Sequence, residues 1–279
     1  MALKDILVIV DDGPYAAARV DLAVWLAQRH DAHLTGLHIT APVTLPGYVE
    51  VGLPESVRTQ QRRYALDLVD HAHALFDERA RRAGLTDRSE WRTADGNPTD
   101  VAAVHARYAD LVIVGQVDPH HGAENPVVHP EDLLFDSGRP VLVVPFAGTF
   151  PTVGKRVLIG WNASREAARA IGDARPMLET AKKVTVLAVN PRPGAAGLGD
   201  EPGADIARHL ARHGVTVEAR HILNEEIDIG STFLNQAADH ACDLIVMGAY
   251  GRSRLRDLVL GSLTRFILNH MTVPVLLSH

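Results

Sequence analysis

The chain has 279 residues, of which 46% are hydrophobic, and its formal net charge at pH 7 is −6. This length allows one large domain or two of ordinary size, and the apolar content supports a buried core. The negative charge argues against a general nucleic-acid binder, and the lack of a run of about 18 apolar residues argues against a membrane-spanning helix.

A single cysteine, Cys242, excludes an internal disulfide and is typical of a reducing compartment. Because Cys242 stands directly before an apolar run, we expect it to be a small buried side chain rather than a reactive thiol. The amino-terminal MALKDILVIV passes straight into a strand-like run, without the basic segment and cleavage site of a signal peptide. These features predict a cytoplasmic protein.

In chain order, the apolar segments occur twice, which predicts a duplicated unit. The difference in residue number between matched segments shortens once along the chain, because the first copy has a longer loop and helix (residues 45–84) than the second (191–214). The predicted domains are residues 1–147 and 154–279, joined by a linker that contains Gly, Thr and Pro. The matched segments are 6–11 with 157–162, 33–39 with 183–189, 110–115 with 243–248, and 140–142 with 274–276.

Apolar strand runs alternate with helical patterns in each copy, which predicts a parallel sheet covered by helices on both faces. Ser164 and Ser231 stand at helix starts as predicted caps, and Pro176 predicts a kink or a break. Right-handed crossovers then give a doubly wound, Rossmann-like layer that binds ligands at the carboxyl ends of its strands. The predicted helices cover 15–30, 56–83, 98–109, 164–181, 205–213 and 231–241.

The stretch 243–277 contains the strongest candidate for a binding site. An apolar run ends at Gly248, Gly251 follows, and after nine more residues Gly261-Ser262 opens a helical pattern. Glycines allow close approach of the backbone, and unpaired N–H groups at a helix start attract a phosphate. The sequence therefore predicts an anion site, although turn-forming glycines and a capping Ser262 are the alternative explanation.

This G-x2-G-x9-G-S spacing resembles the nucleotide-binding motif of the universal stress protein family, and the duplicated pattern resembles its tandem members over nearly the whole chain. The resemblance implies two Rossmann-like α/β domains, each a five-stranded parallel sheet of order 3-2-1-4-5 with helices on both faces. In that family the last strands of two domains pair across a pseudo-twofold axis, a contact that two halves of one chain can form. Association of two such chains into a homodimer is a further possibility that the sequence leaves open.

The resemblance also implies the ligand, which is ATP or a related adenine nucleotide (ADP or AMP), with Mg²⁺ as an optional companion ion. Arg252, directly after the second glycine, is within reach of a phosphate. Asn162 stands where the family has Asp, so it keeps hydrogen-bonding capacity but brings no charge. The predicted phosphate contacts are Gly248, Gly251, Gly261, Ser262, Leu263 and Thr264, and the predicted adenine and ribose contacts are Asn162, Val189 and Met247, with Trp161 nearby.

The first copy resembles a degenerate version of this site. Gly115 matches Gly248 and Asp11 is present, but Asp118 replaces the second glycine and no Gly-Ser opens the following helix. Its acidic residues would repel a polyphosphate. We therefore expect nucleotide in the second copy alone. The acidic residues are Asp118, Glu124, Glu131 and Asp132.

Histidines in the same first-copy loop suggest a metal site as an alternative. His120, His121 and His129 lie near Asp118 and Glu124, and imidazole with carboxylate suits zinc or nickel. Neither an HExxH motif nor a cysteine pair occurs, so the sequence predicts no defined metal site.

Three functions remain open. The leading one is a stress-response regulatory module that binds adenine nucleotide with little or no turnover, because the chain has neither a Walker lysine nor a catalytic base at a motif position. The second is an interaction scaffold, with unknown protein partners, that no longer binds nucleotide. The third is an adenylate-transferring, pyrophosphatase or slow ATP-hydrolysing enzyme. An adenylate-transferring enzyme or a pyrophosphatase would need a Ser-Gly-rich loop after the first strand, where the chain instead has DDGP at 11–14 or NAS at 162–164.

Overall fold

The computed structural model describes residues 3–41, 54–118, 128–191, 201–223, 226–249 and 262–279. Ten strands in these residues form one sheet. They are β1 (Asp5–Ile9), β2 (His33–Thr40), β3 (Ser89–Asp95), β4 (Leu111–Gly115), β5 (Val141–Val144), β6 (Arg156–Gly160), β7 (Lys183–Val189), β8 (Val217–Ile222), β9 (Leu244–Gly248) and β10 (Val275–Ser278).

The sheet has the order β3-β2-β1-β4-β5-β10-β9-β6-β7-β8. Each half is therefore a parallel five-stranded unit of order 3-2-1-4-5, and the predicted fold class is confirmed. The halves meet where β5 and β10 pair antiparallel, with Val143 opposite Val275 and Leu142 opposite Leu276. Every residue of β5 and β10 is buried, as expected for strands covered on both faces.

Eight α-helices lie within the described residues. They are α1 (Ala16–His30), α2 (Glu55–Arg82), α3 (Pro98–Ala106), α4 (Pro130–Ser137), α5 (Arg165–Leu178), α6 (Ala204–Arg212), α7 (Ile229–Asp239) and α8 (Ser262–His270), and a short 3-10 helix covers Thr86–Arg88. Each of the six helices for which the sequence predicted bounds begins and ends within three residues of those bounds. No helix in the described ranges combines the length and hydropathy of a transmembrane span.

Two hydrophobic clusters lie on opposite faces of the sheet. The first packs α1, α2, α5 and α6 through residues such as Phe76 and Ile171, and the second packs α3, α4, α7 and α8 through residues such as Leu133 and Ile267. Cys242 belongs to the second cluster and is only 7% exposed. The prediction of a buried cysteine is therefore confirmed.

α5 continues through Pro176 and ends two residues later at Leu178, so this proline does not split the helix, and the predicted kink stays a prediction. One of the two predicted helix caps was wrong. Ser164 caps α5 as expected, by accepting the Ala167 N–H at 3.1 Å, but Ser231 does not cap α7. Asp228 does so instead, and accepts the Ser231 N–H at 2.8 Å. A carboxylate at this position also faces the positive end of the helix dipole.

Candidate functional site

The described residues of the predicted nucleotide site lie at the carboxyl edge of the second half of the sheet. Asn162 follows β6, Val189 ends β7 and Gly248 ends β9, and Ser262 is the first residue of α8. In a doubly wound sheet this edge is where ligands bind, at the point between β6 and β9 where the strand order reverses. The predicted contacts Gly251, Arg252 and Gly261 lie outside the described residues.

Asn162 shapes the turn that leaves β6. Its Oδ1 accepts the Ser164 N–H at 3.1 Å, and in the first half Asp11 Oδ1 accepts the Gly13 N–H at 3.0 Å in the same way. The replacement of Asp by Asn therefore preserves the local backbone. The amide nitrogen of Asn162 adds a hydrogen-bond donor where Asp11 offers only acceptors.

The packing of α5 against β9 requires a glycine at position 248, independently of any ligand. The first turn of α5 lies directly against it, so that a Cβ at this position would overlap with Ala167 N and would lie 2.7 Å from Glu166 O. The next amide, the Ala249 N–H, donates to Ser278 O at 2.9 Å. The role of this glycine in the fold is therefore independent of its predicted contact with a phosphate.

Other predicted contacts belong largely to the core. The side chains of Met247 and Thr264 are buried, and Leu263 is half-buried and packs against the second cluster. Val189 is also half-buried, at the edge of that cluster. The sequence did not indicate Ser278, which lies beside Gly248 in register and whose buried hydroxyl has no hydrogen-bond partner in the described part of the chain.

A buried carboxylate, that of Glu166, belongs to the helix turn that packs against Gly248 at this edge of the sheet. Glu166 lies in the first turn of α5, and its Oε1 is 2.6 Å from Arg165 Nε. Burial raises the pKa of Glu166, but the hydrogen bonds from Arg165 and from the helix backbone outweigh burial and hold the pKa below its usual value. Glu166 is therefore an ionised structural residue and a weak base.

The first half contains a cavity of about 630 Å³ at the equivalent edge of the sheet. The ends of β1, β2, β4 and β5 form its floor, and the amino-terminal part of α2 contributes Leu68 to its wall. The sequence indicated a degenerate copy here and did not predict a cavity of ligand size. The longer loop and helix of the first copy were the only signal for it.

Arg19 lies at the base of this cavity and is 3% exposed. Its Nε donates to Ile9 O at 2.8 Å, its Nη2 donates to Asp11 Oδ2 at 2.6 Å, and its Nη1 fills the space where a Cβ on Gly115 would lie. Arg19 follows Asp11 by eight residues, and the matched residue of the second half is Ala170. A guanidinium thus separates α1 from β4 in the first half, whereas the backbone of α5 contacts β9 directly in the second.

Three further side chains define the wall of the cavity. Tyr15 Oη donates to Asp118 Oδ2 at 3.4 Å, and the rings of Tyr15 and Phe146 lie 5.9 Å apart between centroids. Asp118 is 9% exposed, so its charge lies largely out of water. The predicted substitution of a glycine by this aspartate therefore places a carboxylate inside the cavity.

The helices that follow β4 and β9 differ in their first turns. Glu131 and Asp132 occupy the first turn of α4, and Pro130 contributes no N–H. The first turn of α8 contains no acidic residue. Since the positive end of a helix dipole attracts anions, α8 suits a phosphate, whereas the carboxylates of α4 already occupy that position.

The described residues contain no group of three His, Cys, Asp or Glu side chains placed to hold a metal ion. His120, His121 and Glu124 of the histidine-rich loop lie outside the described ranges. The absence of a metal site in that loop stays a prediction.

Comparisons with known proteins cover nearly the whole chain. The sequence profile of the Universal stress protein family matches residues 2–128 and 154–279. A universal stress protein of Synechocystis sp. is 24% identical over 307 positions, which cover 98% of this chain and 99% of that protein.

Solved structures are similar in fold. A universal stress protein from Archaeoglobus fulgidus aligns with a TM-score of 0.74 at 15% identity, over 98% of this chain and 96% of that one. A putative universal stress protein from Pseudomonas aeruginosa aligns with a TM-score of 0.63 at 18% identity, over 99% and 93%. Because the family profile matches both halves, this chain belongs to the universal stress protein family and carries two copies of its domain in tandem.

Proposed function

We propose that the protein is a stress-response regulatory module that binds ATP or a related adenine nucleotide in its second half, with little or no turnover. The observation that carries this proposal is the meeting of Asn162, Gly248 and the start of α8 at one edge of the sheet, where the strand order reverses. A strand that ends in glycine and a helix start without acidic residues are the two elements that a phosphate requires.

Each part of the nucleotide has a candidate partner in this arrangement. The backbone N–H groups at the start of α8, together with Gly251, Arg252 and Gly261, would hold the phosphates, whose oxygens would in turn bind a companion Mg²⁺ ion. The amide of Asn162 would bind a ribose hydroxyl, and Val189 would contact the adenine ring. Contact with the buried Met247 would be limited to the edge of its side chain.

The carboxylate of Glu166, whose backbone lies against Gly248, is poorly suited to act as a general base, and this supports the proposal of weak turnover. An efficient general base has a pKa near the working pH, whereas Arg165 and the helix N–H groups keep Glu166 ionised and poorly basic. A site of this kind binds a nucleotide without activating water. Binding can then change the position of α8, which packs against the seam between the halves.

Isothermal titration of the full chain with ATP, ADP and AMP tests this proposal. We expect Gly261→Asp to abolish nucleotide binding, because a carboxylate at the helix start would repel the phosphates. Gly172→Asp is the matched control, since Gly172 lies on the exposed side of α5 with open space around it, and this variant should bind like the wild type.

Two outcomes would contradict the proposal. An absence of heat with all three nucleotides, in wild-type protein with a folded circular-dichroism spectrum, would leave an interaction scaffold. Phosphate or pyrophosphate release well above that of Gly261→Asp would instead indicate an enzyme.

A further inference from the structure

We propose that the first half binds a second ligand, a neutral and largely apolar planar molecule that carries one hydrogen-bond donor, in the cavity at the carboxyl edge of its sheet. The donor pairs with Nε2 of His38, a buried side chain that lines the cavity. This site is separate from the nucleotide site of the second half and takes a ligand of another class.

The size and position of the cavity are those of a small-molecule site. Small-molecule pockets in proteins typically have volumes of about 300–1,000 Å³, and this cavity of about 630 Å³ falls within that range. It lies between the ends of β1 and β4, where the strand order of the first half reverses. A molecule with fused aromatic rings fits such a volume.

The charged side chains of the lining already interact within the chain. Arg19 Nη2 donates to Asp11 Oδ2 at 2.6 Å. Asp118 accepts the Tyr15 hydroxyl, and Asp12 also has an interaction partner. A charged ligand would have to replace such contacts or enter without a counter-charge, and a buried charge without a partner is costly. The cavity therefore favours a neutral molecule.

His38 offers a hydrogen-bond acceptor in this lining. Its Nδ1 lies 2.8 Å from Val10 O, and because a carbonyl oxygen can only accept, Nδ1 carries the proton of the neutral ring. Nε2 then has a lone pair, and it makes no hydrogen bond within the described part of the chain. His38 is only 7% exposed and stacks on Trp91 with 6.4 Å between ring centroids, which fixes the orientation of the ring. A ligand that donates one hydrogen bond would satisfy this acceptor.

The second half has no counterpart of this acceptor. In the alignment of the two copies, His38 corresponds to Ala188, just as Arg19 corresponds to Ala170. Both polar side chains of the first half are buried and both line its cavity. The duplicated scaffold therefore carries two sites of different construction, and the histidine belongs to the first one alone.

The rest of the lining suits a planar apolar body. The rings of Tyr15 and Phe146 lie 5.9 Å apart between centroids, and Val114, Val144 and Leu68 supply aliphatic surface. Aromatic rings pack well against another ring in offset or edge-to-face contacts. Burial of the ligand's apolar surface would supply most of the affinity, and the bond to His38 would supply the selectivity.

Three naphthalene compounds of similar shape test the proposal. 2-Naphthol is neutral and donates a hydrogen bond, 2-methoxynaphthalene has no donor, and 2-naphthoate is an anion. Equilibrium dialysis against the full chain at neutral pH should give the tightest binding for 2-naphthol. We expect its affinity to be about fivefold or more above that of 2-methoxynaphthalene, as for the loss of one buried hydrogen bond, and about tenfold or more above that of 2-naphthoate.

His38→Phe tests the proposed acceptor, because it keeps an aromatic ring and removes Nε2. We expect this variant to bind 2-naphthol no more tightly than 2-methoxynaphthalene, whose own affinity changes little. His33→Phe is the matched control, since it makes the same substitution at the opposite end of β2. The control should keep the wild-type preference for 2-naphthol.

Ala65→Trp locates the ligand without altering His38. Ala65 is a half-buried residue of the cavity wall in α2, so an indole ring there would occupy the space of the ligand and abolish 2-naphthol binding. Leu66→Trp, at a position that is 58% exposed, is the control and should bind like the wild type. Gly261→Asp should also retain 2-naphthol binding, so that failure of the nucleotide proposal and failure of this one are distinguishable.

Four results would each overturn the proposal. The first is equal affinity of the wild type for 2-naphthol and 2-methoxynaphthalene, and the second is equal or tighter binding of 2-naphthoate. The third is a preference for 2-naphthol that persists in folded His38→Phe, which would exclude His38 as the acceptor. The fourth is 2-naphthol binding that Ala65→Trp leaves unchanged, or its absence from the wild type up to the solubility limit of the compound.

Discussion

The side-chain amide of Gln116 donates to the carbonyl oxygen of Leu268 at 2.7 Å, and this hydrogen bond joins the two halves of the chain. Gln116 directly follows β4, whereas Leu268 lies near the carboxyl end of α8. The Oε1 of the same amide accepts the Phe146 N–H at 3.2 Å, so one buried side chain connects the exit of β4, the exit of β5 and α8. The seam formed by β5 and β10 therefore has a polar connection beside its apolar one.

Removal of this connection should destabilise the chain. Gln116→Ala removes the partner of the buried Leu268 carbonyl and of the half-buried Phe146 N–H, and we expect a loss of about 1–3 kcal/mol in the free energy of unfolding. Urea unfolding measures this loss. Gln60→Ala, at an exposed position of α2, is the control and should change stability by less than about 0.5 kcal/mol. Equal midpoints for the two variants would show that the amide contributes nothing.

Gly248→Ala tests the packing role of the motif glycine. The added methyl group would overlap with the backbone of α5 at Ala167, and overpacking of this kind costs about 1–3 kcal/mol. Thermal unfolding without nucleotide measures the effect. Gly172→Ala adds the same group where space is open in the same helix, and it should stabilise the chain by about 0.5–1 kcal/mol. A stable Gly248→Ala variant that loses only nucleotide binding would contradict the packing role.

His30 should make the fold sensitive to mild acid. Burial, and to a lesser extent the charge of Arg29, lower the pKa of His30, and its Nε2 has no hydrogen-bond partner within the described residues. The unfolded chain therefore binds a proton at a higher pH than the folded chain does. The contribution of neutral His30 to stability is present above its unfolded pKa of about 6.5 and is lost as the pH falls below it.

Urea unfolding between pH 7.5 and pH 5.5 measures this dependence. We expect the free energy of unfolding to fall with pH in the wild type, with a slope of at most about 1.4 kcal/mol per pH unit from this one group. The slope should be smaller in His30→Gln and unchanged in His213→Gln, whose histidine is exposed. Identical slopes in all three proteins would exclude His30 as the source.

Cys242 should be almost inert in the folded protein. Burial raises the pKa of its thiol to about 11, and the thiolate is the reactive form. At pH 8 we expect alkylation by iodoacetamide to be at least about 100-fold slower in the native chain than in urea. Mass spectrometry of timed samples follows the reaction. Rapid labelling of native protein would mean that the second hydrophobic cluster opens readily.

The repeated pattern of the sequence was sufficient to predict the architecture. Apolar runs such as 6–10 and 244–247 mark buried strands because a strand covered on both faces has no polar side to alternate with. The cap at Ser164 was predictable for a local reason, since a cap acts within three residues of itself. The capping role of Asp228 was missed, because Ser231 is also a capping-type residue and Asp228, three residues earlier, starts the helix instead.

The sequence by itself determined the duplicated α/β scaffold, the order of its elements and the loss of phosphate-binding groups from the first copy, because these depend on periodicity and on residues close together along the chain. Only the tertiary structure decided what Arg19, Gly248 and Gln116 do. Their partners, Ile9 O, the α5 backbone and Leu268 O, come from other elements, and the distances to them depend on how the helices pack on the sheet. The same is true of the first-half cavity, whose lining comes from the ends of β1, β2, β4 and β5 together with α1 and α2.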